Sequence, residues 1–525
     1  MQFENNWIAK KDIYLTKGFF ARLLTVSIFI ILGIASIGFS LYLFYIARSF
    51  YMYFLASLFM VLALIACFFN FFASVSYYKS YFYQFYIKKL EENTKELTEY
   101  PTLAVAMPVF NENVNTIKKN FKRLLKIRYP KSKLKFYLLD DSTESSINSE
   151  LERFSKENGI IYIHRDNRKG YKAGALNNLL KISKEEYLSI FDYDEYLANL
   201  DFAKDLLKYF MVDPNLSYVQ TQKDTKADNF FSDSIRLFDG FFFTFIQPAR
   251  ALNNTAIYAG SCGMIKKSAI EKIGGFPEYV IEDTFFSFES HKHNFKSLYI
   301  PKIYAYGEQI STFTGLAKQQ WRYNYGDTEF LGYFIKNKKK FKSNLIIDMD
   351  YITHGFGLNY LSVVLLLFTF ISVLIVFSSV PFLNMTIQQF FSIRYVGFDL
   401  EVFGIVAFML SMLAPVLLTK IYFNSVKRGF MVFLLNYALA VIRTKAAIYA
   451  LLSKSPKNMW NKMTQKSIKN NLLQSIKVSS SEIAIAAVLL ILSIFALKIN
   501  VIGALWLVWY ATMYLSTFFL FYKYG

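Results

Sequence analysis

The chain has 525 residues, of which 54% are hydrophobic, and it carries a formal net charge of +20 at pH 7. This composition favours a polytopic membrane protein over a soluble enzyme. The two cysteines, Cys67 and Cys262, and four histidines without ligand spacing argue against a disulfide framework and against a zinc site. No nucleic-acid-binding motif accompanies the positive charge, which indicates contact with anionic lipid or with a nucleotide diphosphate instead.

Long uncharged segments predict six transmembrane helices, because about 20 apolar residues are needed to cross a bilayer. The segments are residues 23–46, 49–78, 355–393, 402–419, 483–497 and 499–522. The first segment lacks a cleavage site and is followed at once by the second, so we expect an anchor, not a signal peptide. Membrane lipids are therefore expected partners of this chain.

The distribution of lysines predicts which parts of the chain face the cytoplasm. The N-terminal arm and the segment 454–477 are rich in lysine, and such loops stay inside the cell. The apolar segment 429–453 contains Arg443 and Lys445, and a crossing there would move the lysine-rich loop outside. We therefore expect a helix at the cytoplasmic interface, with seven transmembrane helices as the alternative.

A polar block between residues 78 and 351 separates the second and third apolar segments and is large enough for one or two domain cores. Apolar runs at 102–107, 135–139 and 160–163 alternate with helical patterns, which predicts an α/β fold with a doubly wound, mostly parallel sheet. No Gly-x-Gly-x-x-Gly follows the first run, so a dinucleotide cofactor is not expected. The resulting domain boundaries are 1–99, 100–310, 311–352 and 353–525.

A fourth apolar run, at 189–191, ends in the carboxylates of Asp192 and Asp194. Side chains two positions apart on a strand share a face, so the two groups can converge at the carboxyl edge of the sheet, where α/β proteins bind ligands. Carboxylate oxygens are suitable ligands for a divalent cation that bridges to a diphosphate. The alternative is a solvated turn after the strand.

The segment 167–178 places arginine and lysine at the glycine-broken start of a predicted helix. Cationic side chains at a helix N-terminus suit phosphate binding. An ordinary helix cap is the alternative explanation of this segment.

The order and spacing of several short motifs resemble the family 2 glycosyltransferases, in particular the membrane-embedded cellulose, chitin, hyaluronan and mannan synthases. The motifs are residues 105–112, 140–142, 172–177, 191–194, 218–221, 259–265, 281–283, 319–323 and 460–466. Two positions depart from the family pattern, because Ile281 replaces a threonine and Tyr323 replaces a tryptophan. The resemblance implies a cytoplasmic catalytic domain of the GT-A type inserted in an α-helical membrane domain.

The resemblance also implies roles for acidic and basic residues in donor binding. Asp140 or Asp141 is expected to reach the base and ribose of the nucleotide, and Lys172 the phosphates. Asp194 is the expected ligand of Mg²⁺ or Mn²⁺. Asp192 is expected to bind the same ion and to contact the donor sugar or phosphate. Such a cation acts as a Lewis acid on the leaving diphosphate.

By the same resemblance, Asp283 is the candidate general base, next to Glu282 at the start of a predicted helix. A carboxylate in this position suits an inverting displacement, in which the acceptor hydroxyl attacks opposite the leaving group. The alternative is an acidic pair that only stabilises the helix N-terminus, an effect of up to ~1 kcal/mol.

Three further residues are expected where the diphosphate and the acceptor meet the membrane helices. The resemblance assigns Gln319 and Arg322 to the diphosphate and Tyr323 to the acceptor sugar. Trp321 is a second candidate for stacking on the acceptor, although two positions earlier on a helix it would face elsewhere. Cys262 lies in the segment that resembles the acceptor side of the family.

The resulting hypothesis is a plasma-membrane polymerase that adds a sugar from a cytoplasmic nucleotide sugar to a β-linked polysaccharide and passes the chain outward. UDP-glucose or UDP-N-acetylglucosamine is preferred as donor, with GDP-mannose behind. One alternative is an enzyme of the same family that adds a single sugar to a lipid or other membrane acceptor. The other is a channel or transporter whose cytoplasmic domain only binds nucleotide. The oligomeric state stays open.

Overall fold

The computed structural model describes residues 19–341, 343–377, 414–452, 469–499 and 501–525. The described part consists of an α/β region between two sets of long helices. Part of the predicted third span, most of the fourth and the motif at 460–466 lie outside these residues.

The α/β region is built on a sheet of eight strands, in the order β3-β2-β1-β4-β7-β6-β8-β5. Strands β3, β2, β1 and β4 run parallel, as the alternating sequence pattern predicts. Strand β7 is antiparallel to both of its neighbours, and β5 is antiparallel to β8. The predicted α/β fold is therefore confirmed, with a sheet that is mixed. The strands are β1 (Leu103–Val109), β2 (Leu134–Asp140), β3 (Ile161–His164), β4 (Tyr187–Ile190), β5 (Tyr196–Leu197), β6 (Leu216–Lys226), β7 (Gly263–Lys266) and β8 (Lys296–Glu308).

Helices cover the sheet and continue into the flanking regions. Ahead of the sheet lie α1 (Phe19–Ile46) and α2 (Phe50–Glu92). The helices within the α/β region are α3 (Val114–Leu124), α4 (Ser145–Glu157), α5 (Tyr171–Ile182), α6 (Phe202–Val212), α7 (Phe230–Phe241), α8 (Gln247–Leu252), α9 (Lys267–Lys272) and α10 (Glu282–Lys292). The helices after the sheet are α11 (Phe313–Asn337), α12 (Leu345–Val376), α13 (Ala414–Phe423), α14 (Val426–Leu451), α15 (Leu472–Val478), α16 (Ser480–Ala496) and α17 (Val501–Tyr524).

Strand β1 illustrates how the sequence pattern produces a sheet that is buried on both faces. Leu103, Val105 and Met107 belong to one hydrophobic cluster. The intervening Ala104 and Ala106 belong to a second cluster on the opposite face. Side chains of a strand alternate between its faces, and a parallel sheet with helices on both sides requires apolar residues at every position. The apolar run at 102–107 satisfies that requirement.

Three helices of the described part are long and apolar enough to cross a membrane, namely Phe50–Glu92, Val426–Leu451 and Gly503–Tyr524. A fourth span is possible if α15 and α16, which meet at an angle of 80°, are taken together. The predicted number of six spans thus stays a prediction. Helix α14 was expected at the membrane interface, and its most apolar 18-residue window is 78% buried inside the protein.

Candidate active site

The chain turns sharply after β4 and brings three acidic residues to the carboxyl edge of the sheet. The amide of Asp192 donates a hydrogen bond of 2.8 Å to Glu195 Oε2, and the amide of Glu195 donates one of 3.0 Å to the carbonyl of Asp192. These two bonds close the turn around Asp194. The Asp192 carboxylate accepts hydrogen bonds from Lys172 Nζ at 2.5 Å and from Ser261 Oγ at 2.9 Å.

The two aspartates of this turn differ in their electrostatic surroundings. Burial opposes ionisation of Asp192, but Lys172 and Lys223 outweigh burial and hold the pKa of Asp192 well below its ordinary value. Burial, followed by the charges of Glu195 and Asp192, raises the pKa of Asp194 to about 7. A buried carboxylate next to other acids is stabilised by a cation. A bound cation would therefore favour the ionised form of Asp194 and lower its pKa.

Lys223 and Ser261 connect this turn to the neighbouring strands. The sequence analysis named neither as a site residue, although Ser261 lies in the motif at 259–265. Lys223 Nζ lies 3.0 Å from Glu195 Oε1, 3.6 Å from Asp192 Oδ2 and 2.6 Å from Ser261 Oγ. Lys223 lies two positions after the motif at 218–221 on β6. Its closeness to that motif was the signal in the sequence that could have identified it as a site residue. The lysine adds a second positive charge to the cleft.

Gly260 is the point where the acidic turn and helix α10 meet. A Cβ atom at this position would lie 3.1 Å from Asp283 Oδ2 and 3.7 Å from Lys172 Nζ. The Asp283 carboxylate and the ammonium group that holds Asp192 are therefore within about 7 Å of each other. The structure brings Lys172, Asp192 and Asp283 together, and the roles expected of them stay predictions.

Glu282 and Asp283 form the first turn of α10. Asp283 Oδ1 accepts a hydrogen bond of 2.8 Å from the amide of Thr284, so part of the alternative, a contribution to helix capping, is present. Burial raises the pKa of Asp283 despite the nearby lysines and Arg322. Burial and the adjacent Asp283 raise the pKa of Glu282 to about 7. Both acids therefore hold protons more strongly than ordinary carboxyl groups.

Helix α11 approaches the start of α10 closely. A Cβ atom at Gly326 would lie 2.7 Å from a methyl carbon of Ile281, so only glycine permits this packing. Burial opposes the charge of Arg322, but Tyr323 and Glu282 outweigh burial and raise the pKa of its guanidinium. Arg322 is thus brought to the acid pair of α10, one helix turn from the close contact.

Gln319 Oε1 and Arg322 Nε are among the buried polar atoms of α11 that lack a hydrogen-bond partner within the described ranges. An unsatisfied buried polar group costs about 1–3 kcal/mol, which a bound ligand can recover. The side chain of Tyr323 lies beside Arg322, whose Cζ is 5.2 Å from the centre of the phenol ring. Gln319, Arg322 and Tyr323 therefore provide polar and aromatic groups suited to a ligand.

The side chains of Trp321 and Cys262 are buried in hydrophobic surroundings. Trp321 is 2% exposed and packs edge-on against Tyr449 of α14, with 5.4 Å between ring centres. Cys262 is 1% exposed and belongs to the hydrophobic core of the sheet. Both side chains are packed in the interior, and a role of either one in binding an acceptor stays a prediction.

Asp140 and Asp141 lie at the carboxyl end of β2 with partners from the protein. Asp140 accepts hydrogen bonds from Tyr162 Oη at 2.7 Å and from the amide of Ser142 at 2.8 Å. Asp141 accepts a hydrogen bond of 2.7 Å from Arg165 Nε and a second one from the same guanidinium. Contact of either acid with a nucleotide would therefore compete with these bonds.

Asn177 of α5 links the lysine-bearing helix to the loop before α10. Its Nδ2 donates to the carbonyl of Phe276 at 2.9 Å, and its Oδ1 accepts from the amide of Phe276 at 2.7 Å. A Cβ atom at Gly275 would lie 2.7 Å from Asn177 Oδ1. One contact thus joins the motif at 172–177 to a loop about 100 residues later in the sequence.

Within the described ranges, no group of three or more His, Cys, Asp or Glu side chains is arranged to hold a metal ion. The acidic turn nevertheless fits a divalent cation in part, because Asp194 has no salt bridge there and its carboxyl is buried among acids. Oxygen atoms of a substrate diphosphate commonly complete such a coordination shell.

Sequence comparisons assign a family to most of this region. Residues 104–274 match the model of glycosyl transferase family 2, and residues 194–423 match glycosyl transferase family group 2. The cellulose synthase catalytic subunit [UDP-forming] of Pseudomonas fluorescens is 28% identical over 238 residues, 44% of this chain and 32% of that protein. The probable glucomannan 4-beta-mannosyltransferase 7 of Oryza sativa is 28% identical over 242 residues, 43% of this chain and 41% of that protein.

The similarity covers less than half of each of these relatives, about a third of the cellulose synthase subunit. Among solved structures, a mannosyltransferase from Pyrobaculum calidifontis in complex with GDP-Man and Mn²⁺ matches 72% of this chain and 96% of its own. The TM-score is 0.49 and the sequence identity 17%. Residues 104–423 belong to the family 2 glycosyltransferases and are of the cellulose synthase type.

Proposed function

We propose that this chain is an inverting glycosyltransferase that transfers a sugar from a nucleotide donor to the hydroxyl group of a growing β-linked polysaccharide. The observation that carries the proposal is the approach of Asp283 and Lys172 at Gly260. It combines an acid able to accept a proton with a cation able to bind a phosphate. The cellulose synthase and mannosyltransferase names of the relatives support the type of product.

In the proposed reaction, Asp283 accepts the proton of the acceptor hydroxyl as that oxygen attacks the anomeric carbon. The raised pKa of Asp283 suits this role, because a general base is most effective when its pKa lies near the working pH. Glu282 lies beside Asp283, and its pKa, raised to about 7, allows it to receive that proton from Asp283 after the transfer. The bond from the anomeric carbon to the diphosphate breaks on the opposite side of the sugar.

Positive groups around the cleft would stabilise the diphosphate that leaves. Lys172 and Lys223 approach from the sheet side, where both contact Asp192. Arg322 approaches from α11, and both its Nε and the Oε1 of Gln319 lack a hydrogen-bond partner within the described ranges. Charge that develops on the leaving group is best stabilised by groups that are already in position. Asp140 and Asp141 are proposed to reach the nucleoside by exchanging their present partners.

Asp194 and Asp192 are the residues proposed to hold Mg²⁺ or Mn²⁺. When bound, the ion would neutralise charge on the departing diphosphate as a Lewis acid. The burial of Asp194 among acids supports this assignment. Chelation of divalent ions is expected to stop transfer, and added Mg²⁺ or Mn²⁺ is expected to restore it.

The acceptor is proposed to lie over Tyr323, with the polysaccharide passing outward between the helices that follow the sheet. We further propose a multi-pass protein of the plasma membrane with its catalytic domain in the cytoplasm. A UDP-sugar is the preferred donor and a GDP-sugar the second choice. Addition of one sugar to a lipid or other membrane acceptor is the second candidate, favoured by the smaller aromatic surface of Tyr323 at the expected tryptophan position.

The proposal can be tested with membranes that contain the chain. They are incubated with a panel of UDP- and GDP-sugars, and the released nucleoside diphosphate and the size of the product are measured. A ladder or a high polymer supports polymerisation, whereas a single lipid-linked sugar supports the second candidate. Asp283→Asn is expected to abolish transfer while the protein remains folded and membrane-bound. Transfer at the wild-type rate in this variant contradicts the role of Asp283.

A further inference from the structure

Arg443 is a buried cation on α14 with neutral hydrogen-bond partners. Its Nε and Nη2 donate to Gln320 Oε1 at 3.0 and 2.8 Å, and its Nη1 donates to Asn436 Oδ1 at 3.4 Å. The side chain is fully buried, and no salt bridge joins it to an acid in the part of the chain that the structure describes. A buried charge without an opposite charge is costly, so its retention calls for a specific role.

The residue that Arg443 holds lies between residues proposed to bind the ligand. Gln320 directly follows Gln319 and stands two positions before Arg322 on α11. Side chains two positions apart on a helix point to nearly opposite sides. Gln320 contacts α14, while Arg322 interacts with the acid pair of α10 on the other side. The bond to Arg443 therefore lies on the side of α11 away from the acid pair.

A second contact on the same side of α11 supports this geometry. Trp321 packs against Tyr449, which lies on α14 less than two turns after Arg443. At the other end of α14, Arg428 forms a salt bridge with Asp233 of the α/β region. Helix α14 is thus attached to the α/β region near its start and to α11 near its end.

We propose that Arg443 is a positioning residue that fixes α11 through Gln320, so that Gln319 and Arg322 face the cleft. The proposal rests on the proposed function, because the cleft in question is the one assigned to sugar transfer. Arg443 itself would contact neither donor nor acceptor. It would instead make the fit of the catalytic cleft depend on the position of α14, one of the apolar helices.

The kinetic test compares Arg443→Met, Arg443→Lys, Gln320→Met and the double variant with methionine at both positions. We expect Arg443→Met to lower kcat about 10- to 100-fold and to change the donor KM by less than about threefold, because misplaced groups on α11 act on the leaving group. Arg443→Lys should recover part of kcat, since it keeps the charge. In the Gln320→Met background, Arg443→Met should cost less than about threefold more.

Lys445→Met is the matched control on the same helix. Lys445 donates to Ser481 Oγ at 2.6 Å, away from α11, and its loss should leave kcat within about twofold of wild type. A kcat of Arg443→Met within about twofold of wild type would overturn the proposal. A loss that is as large in the Gln320→Met background as in the wild-type background would overturn it as well.

A readout that needs no turnover separates this inference from the proposed function. Amide hydrogen exchange is measured in full-length Arg443→Met and Lys445→Met for the peptide that contains residues 316–324. We expect at least about fivefold faster exchange in Arg443→Met alone, because a loosened helix opens more often. Unchanged exchange would refute the positioning role even in an active enzyme. A wild-type chain that transfers no sugar would refute the proposed function and leave the exchange result decisive for Arg443.

Discussion

The carboxylate of Asp283 lies so close to Gly260 that a Cβ atom on that glycine would be 3.1 Å from Asp283 Oδ2. The same atom would lie 3.7 Å from Lys172 Nζ. Gly260 also has a φ of 80°, which L-residues rarely adopt. The small size and the conformation of this one residue therefore both contribute to the shape of the cleft.

Gly260→Ala is expected to lower transfer activity at least about tenfold, since the added methyl group displaces Asp283 or Lys172. The measurement is kcat/KM in membranes that contain equal amounts of protein. Gly159→Ala is the control, because Gly159 has a φ of 67° with no atom within 4 Å of the added Cβ. It should keep wild-type activity, with a similar cost in backbone strain. Equal losses in the two variants would mean that strain, not displacement, is responsible.

Glu282→Gln is expected to shift the pH dependence of kcat/KM toward acid. Activity should rise with pH as the acid pair of α10 loses its protons, with an apparent pKa near the value of about 7 for Glu282. The charge of Asp283 raises the pKa of Glu282, so a neutral side chain at position 282 removes the higher of the two ionisations and leaves that of Asp283. The pH–rate profile of each protein gives the shift. An unchanged acidic limb would contradict the assignment of this limb to the pair.

Asp194→Asn is expected to stabilise the metal-free protein at pH 8 and to have a smaller effect at pH 5. Burial raises the pKa of Asp194 in the folded state to about 7, above the value of about 3.9 for an unfolded chain. The folded protein thus binds the proton more strongly, and stability is lost as pH rises between these values. The Tm at pH 8 should rise by at least about 2 °C.

Asp213→Asn is a comparison variant for which we expect the opposite change in Tm at pH 8. Burial opposes ionisation of Asp213, but the hydrogen bond from Lys296 outweighs it, so the pKa of Asp213 is lowered in the folded state. Its contribution to stability is present above the unfolded pKa and is lost as pH falls. Asp213→Asn should therefore lower the Tm at pH 8. A lower Tm for Asp194→Asn as well would contradict the assignment of an unfavourable buried charge to Asp194.

Asn177→Ala is expected to destabilise the α/β region by about 1–3 kcal/mol, because both backbone groups of Phe276 lose their partner. The neighbouring Asn178→Ala is the control and should change stability by less than about 0.5 kcal/mol. Urea or thermal unfolding in detergent gives the comparison. Similar stabilities of the two variants would mean that the loop before α10 does not depend on Asn177.

The sequence was sufficient to predict the α/β fold. That prediction follows from local patterns, since apolar runs that end in acids become strands whose carboxyl ends share an edge. The expected position of Asp283 came instead from the resemblance to family 2 glycosyltransferases. The reversed direction of β7 was not predictable in the same way. It depends on the pairing of residues 263–266 with 187–190, a contact between distant segments.

Other features of the site depend on side-chain directions that a motif does not specify. Trp321 and Cys262 stand in motif positions, yet their side chains are buried. Lys223 and Arg443 lie outside the motifs, yet one contacts Asp192 and the other holds Gln320. Helix rotation and strand register set these directions, and both arise from packing across the whole domain.

The contact between Gly326 and Ile281 has a consequence for how this enzyme could vary. The guanidinium of Arg322 and the acids of α10 are kept at their spacing by the absence of a methyl group on Gly326. Any side chain there would act as a wedge and widen the gap between the two helices. Natural or engineered variants that need a roomier cleft could therefore obtain one by a single substitution, without altering any residue that touches the sugar.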